Sequence, residues 1–121
     1  MNKKAARILV IDDEESVRDY VRSVLEKQGH TVYEAPDGKQ GLKLLKQFKA
    51  DAIITDLVMP EMEGIETIRA IRKDFPDCGI VAMSGSAFSG EYLSMAKLLG
   101  AFAVLQKPFS KAELLDCFNS L

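Results

Sequence analysis

Four short stretches of this 121-residue chain carry side chains whose types suit one joint chemistry: Asp12-Asp13-Glu14-Glu15, the solitary Asp56, Ser84-Gly85-Ser86 and Lys107-Pro108. Carboxylates gathered in one small volume cannot all stay ionised without counter-charge, because each like-charged neighbour raises the cost of the next ionisation. If Asp12, Asp13 and Asp56 meet, something cationic belongs among them. Oxygen donors select a hard cation, and a site with few carboxylates and room for water suits Mg²⁺, which prefers octahedral geometry and keeps several waters. With all groups charged, the three carboxylates and the Lys107 ammonium leave two negative charges, which one divalent ion balances. Such a site can receive a phosphoryl group: the cation and Lys107 clamp its oxygens, the Ser84 hydroxyl donates a further hydrogen bond, and one carboxylate attacks phosphorus. Asp56 is the candidate nucleophile, because it stands alone at the end of a central apolar run.

Whether these residues meet depends on the elements between them. Short apolar runs at Ile8–Ile11, Thr31–Glu34, Ala52–Thr55, Ile80–Met83 and Ala103–Leu105 read as strands covered on both faces. Between them the period changes to that of a helix. Val17, Tyr20, Val21, Val24 and Leu25 form one stripe before Gly29; Gly41, Leu44, Leu45 and Phe48 form the next. Ile65, Ile68, Ile71 and Phe75 precede Pro76, and Tyr92, Met95, Ala96 and Leu99 precede Gly100. Ser110 and Glu113 spell a capping box, with Phe109 placed as a hydrophobic staple on Leu114, and Leu114, Cys117, Phe118 and Leu121 make the last stripe. Five strand–helix units in strict alternation predict a three-layer α/β sandwich, a parallel sheet between helices. In such sheets ligands bind beyond the carboxyl ends of the strands, and the candidate residues stand there.

Composition narrows the function classes. The length is that of one domain, so the whole chain reads as one unit with its core over about residues 7–121. The net charge of −2 argues against a nucleic-acid binder, which would carry a basic face. The apolar run after Arg7 is too short for a signal sequence or a membrane span, and the reading is a cytoplasmic protein. Cys78 and Cys117 lack any second ligand at metal or redox spacing and read as reduced, small apolar residues. No glycine-rich phosphate loop follows the first strand, and four consecutive acids there would repel a nucleotide or flavin phosphate. Singly, each candidate has a plain explanation: the acidic pair as a helix cap, Asp56 and Ser84-Gly85 as turns, Lys107 as a solvated lysine. His30 reads as a loop residue, Asp51 as a turn or cap, and Lys39, Lys43 and Lys46 as a solvated helix face. Only the joint placement of the four stretches at strand ends points to a site.

Those same residues resemble the receiver domain of bacterial two-component response regulators, of the chemotaxis-type single-domain kind. Ile8-Leu9-Val10-Ile11-Asp12-Asp13-Glu14 is similar to the family's first strand and acidic pair, and Asp51–Pro60 to the strand and loop that carry the phosphorylated aspartate. Val81-Ala82-Met83-Ser84-Gly85 matches the fourth strand with its Ser/Thr, and Gly100-Ala101 followed by Lys107-Pro108-Phe109 matches the approach to the family's lysine. The resemblance implies a flavodoxin-like fold with strand order 2-1-3-4-5. It implies that Asp56 takes a phosphoryl group from a phosphohistidine of a sensor kinase or phosphotransfer protein. Asp13 would ligate Mg²⁺ directly, Asp12 largely through water, Asp56 through its carboxylate and Val58 through its backbone carbonyl. Ser84 and Lys107 would hold the phosphoryl oxygens, the Lys107-Pro108 bond is cis in many relatives, and Val58 and Ser86 would tune the phosphate's lifetime. Relatives often carry an aromatic residue where this chain has Val104; Phe102 lies two residues earlier, on the same strand face by alternation but not in the same place.

The reading is a signalling module, a monomer or weak dimer that alters contacts with a downstream protein and turns over only its own phosphate. Its length leaves no room for an output domain, so it is either a stand-alone receiver or part of a hybrid kinase or multidomain regulator. Two alternatives belong to other classes. A haloacid-dehalogenase-like, Mg²⁺-dependent phosphatase would need Asp-x-Asp after the first strand, where this chain reads Asp12-Asp13-Glu14. A degenerate receiver used as a scaffold would not need every chemical position filled.

Overall fold

The computed structural model describes residues 5–57, 64–85 and 89–119. Val58, Ser86, Met59, Met62 and Leu121 therefore lie outside the described residues, as does the side chain of Tyr92. Ten elements alternate without exception: β1 (Arg7–Ile11), α1 (Glu15–Lys27), β2 (Thr31–Ala35), α2 (Gly38–Gln47), β3 (Ala52–Asp56), α3 (Gly64–Asp74), β4 (Gly79–Ser84), α4 (Ser89–Leu98), β5 (Ala103–Gln106) and α5 (Lys111–Phe118). All strand pairs are parallel, in the order β2-β1-β3-β4-β5. The flavodoxin-like order that the resemblance implies is the order found. Every strand runs longer than its apolar stretch. At β3 and β4 the ladder continues into the polar residue that follows, so that Asp56 and Ser84 are the last residues of these strands.

The two faces of the sheet are filled by alternate residues of the same strands. Leu9 and Ile11 of β1, Ile53 of β3, and Ile80 and Ala82 of β4 face the layer built from α2, α3 and α4 through Leu45, Ile68, Ile71 and Ala96. Ile8, Val10, Ala52, Ile54, Val81 and Met83 face the layer of α1 and α5 through Val21, Val24, Leu25, Leu114 and Phe118. This two-sided burial is why the strands read as continuous apolar runs instead of alternating ones. Gly29, at φ 94°, and Gly100, at φ 115°, occupy the left-handed conformation just past α1 and α4, where a side chain would be strained.

Helix ends follow the local signals. Asp37 caps α2 by accepting from the Gln40 N–H at 2.9 Å, and Ser110 and Glu113 complete their reciprocal capping box on α5 at 3.1 and 2.8 Å. Two stripe residues are corrected. Tyr20 is 43% exposed and Met95 47% exposed, because each sits at the margin of an apolar stripe whose centre already fills the space against the sheet. Leu114 and Phe118 are buried as the last stripe predicts, while Cys117 is only partly covered. Both cysteines are free thiols. The Cys78 thiol is buried, and burial is the main reason that its pKa is pushed up to about 11. His30 is more than a loop residue, since its Nδ1 accepts the Ala6 N–H at 3.1 Å. Asp51 accepts the Arg7 N–H at 2.8 Å and so closes the foot of β1.

The core predicts its own sensitivity. Ile53 is fully buried in the central strand and packed within the core on the side of α2, α3 and α4. Ile53→Ala should lower unfolding free energy by about 3–4 kcal/mol in urea titrations, whereas Lys43→Ala on the exposed side of α2 should change it by less than about 0.5 kcal/mol.

Candidate phosphoacceptor and metal site

At the carboxyl edge of the sheet the backbone delivers each candidate separately. Asp12 follows β1 and extends its pairing with β2 by one bond, donating its N–H to the Ala35 carbonyl at 3.1 Å. Its Oδ1 accepts the Glu14 N–H at 2.8 Å, so the carboxylate closes the turn into α1. The helix-cap explanation of the acidic pair thus holds only in modified form, since the residue at the cap position is Glu14, which makes no side-chain cap bond. Asp56 ends β3 opposite Met83 of β4, and Gly64 opens α3 directly against it: a Cβ on Gly64 would fall on the Asp56 carbonyl oxygen and the Leu57 Cα. The absence of a side chain there lets α3 start flush against the strand end.

Lys107 arrives from the opposite edge. Its N–H donates to the Ser84 carbonyl at 2.9 Å, continuing the β4–β5 ladder, and its stem lies over Gly85, where a Cβ would stand 3.2 Å from the Lys107 Cβ. The Lys107-Pro108 peptide is cis. The ammonium reaches across the edge to Asp12 Oδ2 at 2.7 Å, Asp56 Oδ2 at 3.4 Å and Glu14 Oε1 at 3.5 Å. Carboxylate oxygens of Asp12, Asp13 and Asp56 all lie within 4.8 Å of one another. Asp12 is wholly buried and Asp56 is 6% exposed, while Asp13 is open to solvent. Ser84 is fully buried at the end of β4, opposite Gln106 of β5 and one residue beyond Met83, the partner of Asp56, and its carbonyl accepts the Lys107 N–H. Beside the cluster an open cleft of about 600 Å³ is lined by Glu14, Val17, Tyr20, Lys107, Pro108 and Phe109 among others.

The five residues singled out by type and spacing are therefore brought to one edge: Asp12, Asp13, Asp56, Ser84 and Lys107. Val58 and Ser86 fall outside the described residues. Val104 packs in the sheet layer facing α4, whereas Phe102, just before β5, is 40% exposed, so the two are not equivalent. Sequence reading missed two participants. Glu14 is a third carboxylate on Lys107, and Arg18 donates from Nη1 to the Asp12 carbonyl at 2.8 Å. A lone arginine on the first turn of an amphipathic helix carries no signal that separates it from a solvated one.

An oxygen-only donor set of three carboxylates, one solvent-facing and two buried, fits a hard divalent cation that retains water. Protonation equilibria express the same crowding. Burial opposes the charge on Lys107, but the hydrogen bond to Asp12 and the nearby Asp56 and Asp12 charges outweigh it and hold the ammonium above the ordinary lysine value. For Asp12, burial raises the pKa, with Asp13 adding to it, and this exceeds the lowering by Lys107 and the Glu14 N–H. The folded protein therefore binds the Asp12 proton more tightly than the unfolded chain does. Its contribution to stability is present in acid and declines as pH rises from the ordinary aspartate value through the raised one. In chelator at neutral pH, Asp12→Asn should raise the melting temperature, and melts over a pH series should show this gain vanish below the ordinary aspartate value of about 3.9.

Comparison with known proteins agrees with this geometry. Residues 8–119 match the family described as the response regulator receiver domain. The chain is 35% identical over 115 residues to the sensor kinase CckA of Brucella abortus, covering 91% of this chain and 12% of that protein. It is also 35% identical over 115 residues to the response regulator MprA of Mycolicibacterium vanbaalenii, covering 95% of this chain and 49% of that one. The chain thus spans about half or less of the length of these relatives. Among solved structures, the chemotaxis protein CheY4 of Vibrio cholerae superposes with a TM-score of 0.88 at 31% identity, over 97% of this chain and 98% of that one. With the 2-1-3-4-5 sheet, the acidic edge and a family match over almost its whole length, the chain belongs to the response regulator receiver domains of two-component signalling.

Proposed function

We propose that Asp56 accepts a phosphoryl group from a phosphohistidine of a sensor histidine kinase or a histidine phosphotransfer protein, in a Mg²⁺-dependent reaction, and that the modified domain alters its contacts with a downstream protein. The observation that carries this reading is the convergence of Lys107 Nζ on Asp12 and Asp56, with Asp13 beside them, at the carboxyl edge of the sheet. Asp12, Asp13, Asp56 and the Val58 carbonyl are the groups that would hold the ion. When bound, Mg²⁺ supplies the positive charge that lets an anionic donor approach an acidic pocket.

The chain's own residues do the rest. A carboxylate oxygen of Asp56 attacks phosphorus in line with the leaving nitrogen; the P–N bond breaks, and its electron pair returns to the donor imidazole. Lys107 is already within reach of Asp56 and exchanges carboxylate for phosphoryl oxygen as negative charge moves outward. The Ser84 hydroxyl donates to a second phosphoryl oxygen. Pro108 follows Lys107 in the chain, and Ser86 and Val58, two residues beyond Ser84 and Asp56, would tune the access of the water that later hydrolyses the acyl phosphate and restores Asp56. The domain acts on its own aspartate and releases only inorganic phosphate, so its output is a change of protein contacts. Val104 stands where relatives often carry an aromatic, and the exposed Phe102 two residues earlier is not in the same place, which leaves the family's usual aromatic readout without its residue here.

Intact-mass measurement after incubation with phosphoramidate tests the site. One phosphoryl adduct is expected with Mg²⁺, none in chelator and none in Asp56→Asn; equal adduct in that variant would falsify the assignment. Lys107→Ala should still bind Mg²⁺ in a calorimetric titration, but its amide spectrum should change little on phosphorylation compared with the parent protein.

A further inference from the structure

Arg18 lies on the first turn of α1, where a guanidinium is expected in solvent, yet its side chain is only 17% exposed. Its two ends are tied to two other parts of the fold. Nε donates to Glu34 Oε1 on β2 at 3.1 Å, and Nη1 donates to the Asp12 carbonyl oxygen at 2.8 Å. Glu34 is held from its other side by Arg22 Nη1 at 2.6 Å, and Arg22 Nε in turn donates to Glu26 Oε2 at 3.0 Å. The anchor of Arg18 is therefore itself anchored. A guanidinium is a planar, rigid fork, so fixing Nε on Glu34 also fixes the direction in which Nη1 donates.

The bond that receives this donation is the peptide joining the two acidic residues. Because a peptide is planar, a donor on the Asp12 oxygen sets the orientation of the whole Asp12–Asp13 unit, including the N–H of Asp13. The Asp12 N–H is held by Ala35, its Oδ1 by the Glu14 N–H and its Oδ2 by Lys107. The carbonyl is the one group of Asp12 through which α1 and β2 act together on the turn. We propose that Arg18 is a positioning residue for the acidic pair: by bracing the Asp12–Asp13 peptide against Glu34, it aims both carboxylates at a bound cation. The metal part of this inference rests on the Mg²⁺ site proposed above, whereas the bracing does not.

Two measurements on the folded protein separate these parts. In metal-free protein, Arg18→Met should speed hydrogen exchange at the Glu14 amide about tenfold and leave the Ile54 amide of β3 unchanged. In calorimetric Mg²⁺ titrations the same variant should bind about tenfold more weakly than the parent, the range seen when groups that orient metal ligands are removed. Equal affinity in parent and variant would overturn the proposal, as would exchange that is unchanged at Glu14 or accelerated alike at Glu14 and Ile54. If the parent itself binds no Mg²⁺, the metal reading fails, and the exchange result alone decides whether Arg18 braces the turn. Should Arg18→Met not fold, Arg18→Lys is read in the same two ways; it keeps the charge but not the fork, and a smaller shift in the same direction is expected.

Discussion

Three carboxylates face one ammonium at the carboxyl edge of the sheet, and most of the local structure can be understood as a response to that imbalance. Lys107 spans from β5 to Asp12 beyond β1, passing Asp56 at the end of β3, so a single cation touches the ends of three strands. Burial of Asp12 and partial burial of the Lys107 side chain make these charges expensive to separate and expensive to leave unbalanced. The pocket is consequently held together and under electrostatic load at once. A divalent cation would relieve that load, and a phosphoryl group would renew it with its charge moved outward.

Parallel sheets make such an edge possible. The three inner strands β1, β3 and β4 are covered on both faces by helices and on both sides by strands, so they meet solvent chiefly at their ends, and the strand ends together form a shallow rim. The rim is exact here because backbone groups set it: Asp12 N–H on Ala35, Leu57 N–H on Met83 and Lys107 N–H on Ser84 each carry a ladder one residue past the strand. Two glycines let other parts approach the rim closely, with α3 starting on the Asp56 backbone at Gly64 and the Lys107 stem lying over Gly85.

Much of this was legible in the residues. Apolar runs bounded by Asp12, Asp56, Ser84 and Lys107 identify strands and rim together, and helix stops at Gly29 and Gly100 and the Ser110 capping box are local signals that the fold obeys. What stayed hidden depends on distance through space. Tyr20 and Met95 satisfy the helical period, but whether a stripe's margin is covered depends on how closely the helix sits on the sheet. Glu14 and Arg18 meet Lys107 and Asp12 through rotamers chosen by the finished packing. The roles of Asp51 and His30 at the opposite end come from backbone groups of Arg7 and Ala6, which no spacing rule marks.

The two groups assigned to the phosphoryl oxygens do not sit symmetrically in the sheet. Ser84 ends β4 and Lys107 follows β5, joined by a backbone bond, and β5 is an outer strand with a single neighbour, whereas β1 and β3 are flanked on both sides. Of the two groups only Lys107 follows a strand with an open side, since β4 is paired with both β3 and β5. A displacement of Lys107 would therefore meet sheet neighbours on one side only, whereas the strands that present Asp12 and Asp56 are held from both sides.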